Sequence, residues 1–126
     1  MNENKRLNSL ADKYKVHENL IIARVTRKTI RFIEKNTENF PNKYVVLKNR
    51  IIDTCYNILE GIYRANIFQN IDDKKEIVVN IQILNFYLEE ALNKKLLSYK
   101  KFINYGKHLT ELDLMIRAWI NNEENK

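Results

Sequence analysis

Arg24, Arg27, Lys28, Arg31 and Lys35 recur at spacings of three and four residues, which puts them on one face if the segment is an α-helix. Guanidinium and ammonium groups in such a row suit phosphate, which they bind by charge and by N–H donation. Lys43, Lys48 and Arg50 follow just beyond Pro41, the sole proline of the chain. From Arg24 to Arg50, eight basic residues stand against two acids, Glu34 and Glu38, a balance of +6 that equals the formal charge of the whole chain. The rest of the sequence is neutral as a whole. Glu34 is spaced to pair with Arg31, yet a merely solvated helix mixes signs more evenly along its face. These eight cations (Arg24, Arg27, Lys28, Arg31, Lys35, Lys43, Lys48 and Arg50) are therefore the candidate contacts for RNA or DNA. The competing reading is an ordinary solvated face.

Other chemistry finds little purchase. The sequence has no P-loop, GxGxxG, HExxH or CxxC motif. His17 and His108 are far apart and read as surface or cap residues. Cys55 lies within an apolar band and reads as a core thiol, since no histidine is near it in sequence. Glu89 and Glu90 could suggest a di-iron bundle, but that site needs Glu-x-x-His pairs on facing helices, and none occurs. The seven tyrosines could stack on bases, although most are spaced like core or bundle-edge residues. No catalytic residue, cofactor or metal is expected.

The basic row needs a scaffold. At 126 residues, 44% hydrophobic and 30% charged, the chain has the composition of one globular domain. Two glycines and one proline are too few for the turns of an all-β fold. A single cysteine excludes an intramolecular disulfide and suits a reducing compartment. No apolar run approaches the roughly 18 residues of a membrane span, and no apolar signal-peptide core follows the N-terminus. A cytoplasmic protein with no membrane association is expected.

Periodicity supplies four amphipathic segments. The first runs from about Val16 to Asn39, with Ile22, Val25, Thr29 and Phe32 as its stripe, widened by Leu20, Ala23, Ile30 and Ile33. The second starts near Asn42 or Lys43 and ends near Asn66, on Leu47, Ile51, Thr54, Ile58 and Ile62. Residues 66–73 read as a loop whose Ile67, Phe68 and Ile71 fold back on the body, with Asp72 and Asp73 as N-cap and first-turn acids of the next helix. The third segment, to Asn93, carries the clearest seam: Ile77, Ile81, Leu84, Leu88 and Ala91. Ser98 reads as the N-cap of the fourth, whose seam is Phe102, Tyr105, Leu109, Leu112, Ile116 and Trp119 or Ile120. The fold expected is all-α, an antiparallel up-down-up-down four-helix bundle over residues 16–122. A loosely held arm (1–15) precedes it and a polar tail (123–126) follows.

Several short stretches resemble the accessory variability determinant, or Avd, of diversity-generating retroelements. They are Phe40-Pro41-Asn42-Lys43-Tyr44 with Leu47-Lys48-Asn49-Arg50-Ile51, Tyr63-Arg64-Ala65-Asn66, Leu96-Leu97-Ser98-Tyr99-Lys100-Lys101-Phe102, and Met115-Ile116-Arg117-Ala118-Trp119. Asn57-Ile58-Leu59-Glu60-Gly61 is similar to a pattern shared with the four-helix-bundle proteins encoded in intervening sequences of bacterial 23S rRNA genes. A small Gly-Ser stretch typical of that second branch is missing from the third segment, which favours the Avd branch. Lys48, and Arg117-Ala118, stand where Avd proteins often have glycine. The resemblance implies a non-enzymatic bacterial or phage-encoded protein that forms a homopentameric barrel, binds nucleic acid and associates with the retroelement's reverse transcriptase. The alternative is a structural or ribosome-associated protein of the rRNA-insert kind.

Overall fold

A computed structural model of the protein describes residues 16–124, with side chains for residues 21–122. The expected arm (1–15), the end of the tail, and the side chains of His17 and Leu20 lie outside the described residues. The described residues form four α-helices: α1 (Val16–Thr37), α2 (Val45–Phe68), α3 (Ile71–Asn93) and α4 (Tyr99–Glu124). Each helix packs on its neighbours in sequence, α4 closes back on α1, and the diagonal pairs α1–α3 and α2–α4 make no comparable contact. This is the cyclic arrangement of an up-down-up-down bundle.

The chain's punctuation explains the boundaries. α1 stops at Thr37, two residues short of the expected end, where the Phe40 N–H turns back to the Thr37 carbonyl at 3.1 Å. Phe40 itself is buried. Pro41 then leads a single 3-10 turn, Asn42–Tyr44, before the α geometry of α2 begins at Val45. The 66–73 loop is much shorter than expected. α2 continues through Ile67 and Phe68 and is ended by Gln69 in the left-handed conformation (φ 51°), its N–H on the Ala65 carbonyl at 2.8 Å. The N-cap of α3 is Asn70 rather than Asp72, because the Asn70 carboxamide oxygen already accepts the Asp72 N–H at 2.8 Å. Ile67 and Phe68 do not fold back; both stay exposed at that end of the bundle.

α3 ends in a Schellman arrangement, with Leu96 N–H to the Ala91 carbonyl and Lys95 N–H to Leu92. Lys95 takes the left-handed position (φ 61°) that glycine usually occupies. Ser98 caps α4 as its sequence suggests, accepting the Lys101 N–H on its hydroxyl at 3.1 Å. α4 then runs on to Glu124, since Asn121–Lys126 contains no glycine or proline to stop it.

The core follows the expected seams in α2, α3 and α4. Ile51, Ile58, Ile62, Ile77, Ile81, Leu84, Leu88, Tyr105, Leu109, Leu112 and Ile116 are all buried. In α1 Ile22, Ala23, Thr29, Ile30 and Ile33 lie inside as expected and are joined by Thr26 and Thr37, whereas Val25 and Phe32 are half-buried. Threonine tolerates this burial because its hydroxyl finds a carbonyl on its own helix: Thr26 donates to Ile22 at 2.8 Å and Thr29 to Val25 at 2.9 Å. Phe32 sits at the α1–α4 seam, edge-on to the Tyr105 ring at 5.3 Å. Gly61 permits a close approach of α2 to α3, since a Cβ there would meet Ile77 Cγ1 at 2.9 Å.

Candidate nucleic-acid interface

The buried face of α1 fixes where its charges point. With Ala23, Thr26, Ile30 and Ile33 inside, residues Arg24, Lys28, Arg31 and Lys35 fall on the opposite face at helical spacing, and all four are exposed. Among the described residues none of them makes an ion pair. Arg27, half-buried at the edge of this row, donates from Nη1 to the Tyr63 hydroxyl on α2 at 2.5 Å. That bond occupies one of five guanidinium donors.

Glu34 is not held by Arg31, the partner its spacing suggests. Its carboxylate accepts the Tyr56 hydroxyl of α2. The hydrogen bond to Glu34 is the chief reason the Tyr56 phenol is held above its ordinary value; desolvation and the charges of Glu34 and Cys55 add to it, while Arg31 opposes it. The two inter-helix bonds join 27 to 63 and 34 to 56, the register of antiparallel helices. They clamp both tyrosine rings beside the basic row, and both rings remain exposed.

The remaining expected contacts do not all join this surface. The Lys48 ammonium reaches back to the Glu38 carbonyl at 3.5 Å, so it flanks the C-terminal end of α1. Lys43, in the 3-10 turn, lies over the Tyr44 ring at 5.1 Å. Arg50 shares a helical face with Asn57, Gly61 and Arg64, at seven, eleven and fourteen residues. Those three line a cavity against α3 with Asp73, Glu76 and Asn80. Arg50 therefore belongs to the α2–α3 flank. The hairpin presents five basic residues together on α1 with Lys48 at one end, and does not unite all eight.

The other candidate groups behave as scaffold. Cys55 is buried, and burial, helped by the charge of Glu34, pushes its thiol up to about 12. A thiol held protonated is a poor nucleophile. Tyr105 is fully buried with no partner for its hydroxyl, and desolvation pushes it up to about 12. His108 is exposed and edge-on to Phe32 at 5.9 Å. Lys74 is buried with its ammonium 4.3 Å from the centroid of the Trp119 ring, a cation–π contact that ties α3 to α4. Among the described residues no three His, Cys, Asp or Glu side chains gather as a metal site would require, and no helix is long and apolar enough to cross a membrane.

A second surface differs from the first. Val79, Ile83 and Phe86 line the side of α3 opposite its core seam, and all three are exposed. On α4, Ile103, Gly106, Thr110 and Leu114 border an open apolar groove. Ile21, Val45 and Val46 are likewise exposed.

No protein-family model matches the chain, and neither the curated proteins nor the solved structures give a match.

Proposed function

We infer that this protein is a non-enzymatic accessory factor that holds nucleic acid through the outer face of α1. The observation that carries the reading is the row Arg24, Arg27, Lys28, Arg31 and Lys35, turned away from the core with no carboxylate paired to it among the described residues. Such a face binds the phosphate backbone with little sequence preference and a steep salt dependence. Lys48 extends it; Lys43 and Arg50 are secondary contacts at most.

The finer assignment rests on the Avd resemblance of the Phe40–Tyr44 hinge, the Tyr63–Asn66 stretch and the Met115–Trp119 motif. On that basis the protein serves a diversity-generating retroelement, binding template RNA or cDNA and the reverse transcriptase to support mutagenic retrohoming. It acts as a homopentamer. A closed ring needs two different complementary faces on each subunit, and the exposed apolar side chains of α3 and α4 supply candidates at Val79, Ile83, Phe86 and Leu114.

Native mass spectrometry with a reverse-transcriptase binding assay tests this assignment. A five-subunit mass and co-elution with a retroelement reverse transcriptase are expected. A monomer that ignores that enzyme would return the protein to the rRNA-insert reading or to neither.

A further inference from the structure

The geometry points to single-stranded nucleic acid as the ligand of this face, with phosphates over the α1 cations and bases stacked on Tyr56 and Tyr63 of α2. This deepens the phosphate-binding reading and rests on it.

The two rings lie seven residues apart on α2, two helical turns or about 10 Å along its axis. Both keep much of their surface in water, at 47% and 39% exposed, which leaves ring surface open to a stacking base. Each is held at its hydroxyl from α1, Tyr63 by Arg27 and Tyr56 by Glu34. A ring tethered at its edge keeps its orientation, so less rotamer freedom is lost when a base stacks on it. Ile67, four residues beyond Tyr63 and also exposed, extends the same line.

The charges beside this line are asymmetric. Toward α1 stand Arg24, Arg27 and Arg31, with Glu34 the one acid beside them. On the outer face of α2 stand Asp53 and Glu60, both exposed, with Glu60 engaged by Arg64 at 2.9 Å and Arg50 beyond them. The first side keeps a net positive charge and the second none, so a polyanion is drawn to the first. A strand lying along the α1–α2 seam therefore keeps its backbone over α1 and turns its bases toward the tyrosines. A duplex cannot use the rings, because its base faces are already stacked. Aromatic platforms beside a basic groove are how sequence-tolerant single-strand binders work.

The test uses the full chain and anisotropy titrations with oligothymidylate, oligouridylate and a duplex, each of about 12 nucleotides or base pairs. The wild type should favour both single strands over the duplex. Tyr56→Leu with Tyr63→Leu should weaken single-strand binding at least about tenfold, since stacking is worth roughly fivefold or more per ring. The duplex affinity should stay unchanged. Tyr56→Phe with Tyr63→Phe keeps the rings and should keep most of the affinity, which guards against a folding defect. A single-strand affinity indifferent to the Leu pair, or an equal loss on duplex, would overturn the stacking assignment while leaving phosphate binding intact. A wild type that binds none of the three probes would remove the phosphate-binding reading as well. Comparison of the thymidylate and uridylate arms separates DNA from RNA as the preferred strand.

Discussion

The outward faces of α1 and of the other three helices are built on the same periodicity but handle charge in opposite ways. On α2, α3 and α4 a carboxylate stands four residues before a cation: Glu60 with Arg64 at 2.9 Å, Glu90 with Lys94 at 3.1 Å and Asp113 with Arg117 at 2.7 Å. This is the more favourable orientation for such pairs, and each adds a few tenths of a kcal/mol. On α1 the same spacing sets cation against cation: Arg24 with Lys28, Arg27 with Arg31, and Arg31 with Lys35. Like charges at that spacing cost a similar amount. Each of these three helices thus carries a carboxylate–cation pair of its own, and among the described residues the α1 row carries none. Folding gains nothing from such a face, and the proposed anionic ligand is what offsets its repulsion.

The largest expected effect follows from removing that repulsion. Replacing Arg24, Lys28, Arg31 and Lys35 together by Gln should weaken oligonucleotide binding about a hundredfold or more at low salt. Thermal or denaturant unfolding of the same variant should show the fold unharmed, and more stable by up to about 1 kcal/mol. Replacing Arg64, Lys94 and Arg117 by Gln should do the reverse, leaving binding nearly unchanged and lowering stability slightly. If both variants lost binding equally, only net charge would matter and the distinction between the faces would fail.

A smaller effect separates a closed seam from an open face. Gly61 faces Ile77 across the α2–α3 seam, whereas a Cβ at Gly106 on α4 would meet nothing within 4 Å. Gly61→Ala should cost about 1–2 kcal/mol, the overpacking exceeding the gain in helix propensity. Gly106→Ala should gain up to about 1 kcal/mol. Denaturant midpoints of the two variants check both signs, and a destabilised Gly106→Ala would mean that another subunit closes over that groove.

The smallest effect concerns the acid within the basic face. Glu34→Gln removes the one carboxylate bonded there to Tyr56, so nucleic-acid affinity should rise by about two- to threefold. The Tyr56 phenol should fall back toward its ordinary value, because the bond to Glu34 is the largest cause of its elevation. In the native protein that elevation contributes stability below the unfolded phenol value of 10.0, and the contribution is lost as pH rises past it. An ultraviolet tyrosinate titration of the two proteins reads the shift.

Much of this architecture was legible in residue order. The seam from Ile77 to Ala91, the Ser98 cap and the Pro41 break are local signals, and each stands where its spacing or backbone chemistry requires. The α1 core face was harder to read because Thr26 and Thr37 count as polar in a sequence, yet both are buried, with hydroxyls satisfied by carbonyls of the same helix. The basic row itself was legible, since it is periodic within one helix. The tyrosine pair was not, because its tethers join residues 36 and 22 positions apart and depend on the α1–α2 register. The place of Arg50 on the α2–α3 flank, apart from the row, was illegible for a related reason. Proximity in sequence across a hairpin says nothing about which flank of α2 a side chain takes.

The most direct test of the α1 face is the slope of log K against log salt for single-strand binding. Each phosphate contact contributes about −0.7 to that slope. The wild type should show a steep negative slope, and the four-Gln variant of α1 should be shallower by about 3, while the Arg64, Lys94 and Arg117 variant keeps the wild-type value. An α1 variant with an unchanged slope would mean that phosphates are held elsewhere, and that its self-repelling face has no part in binding them.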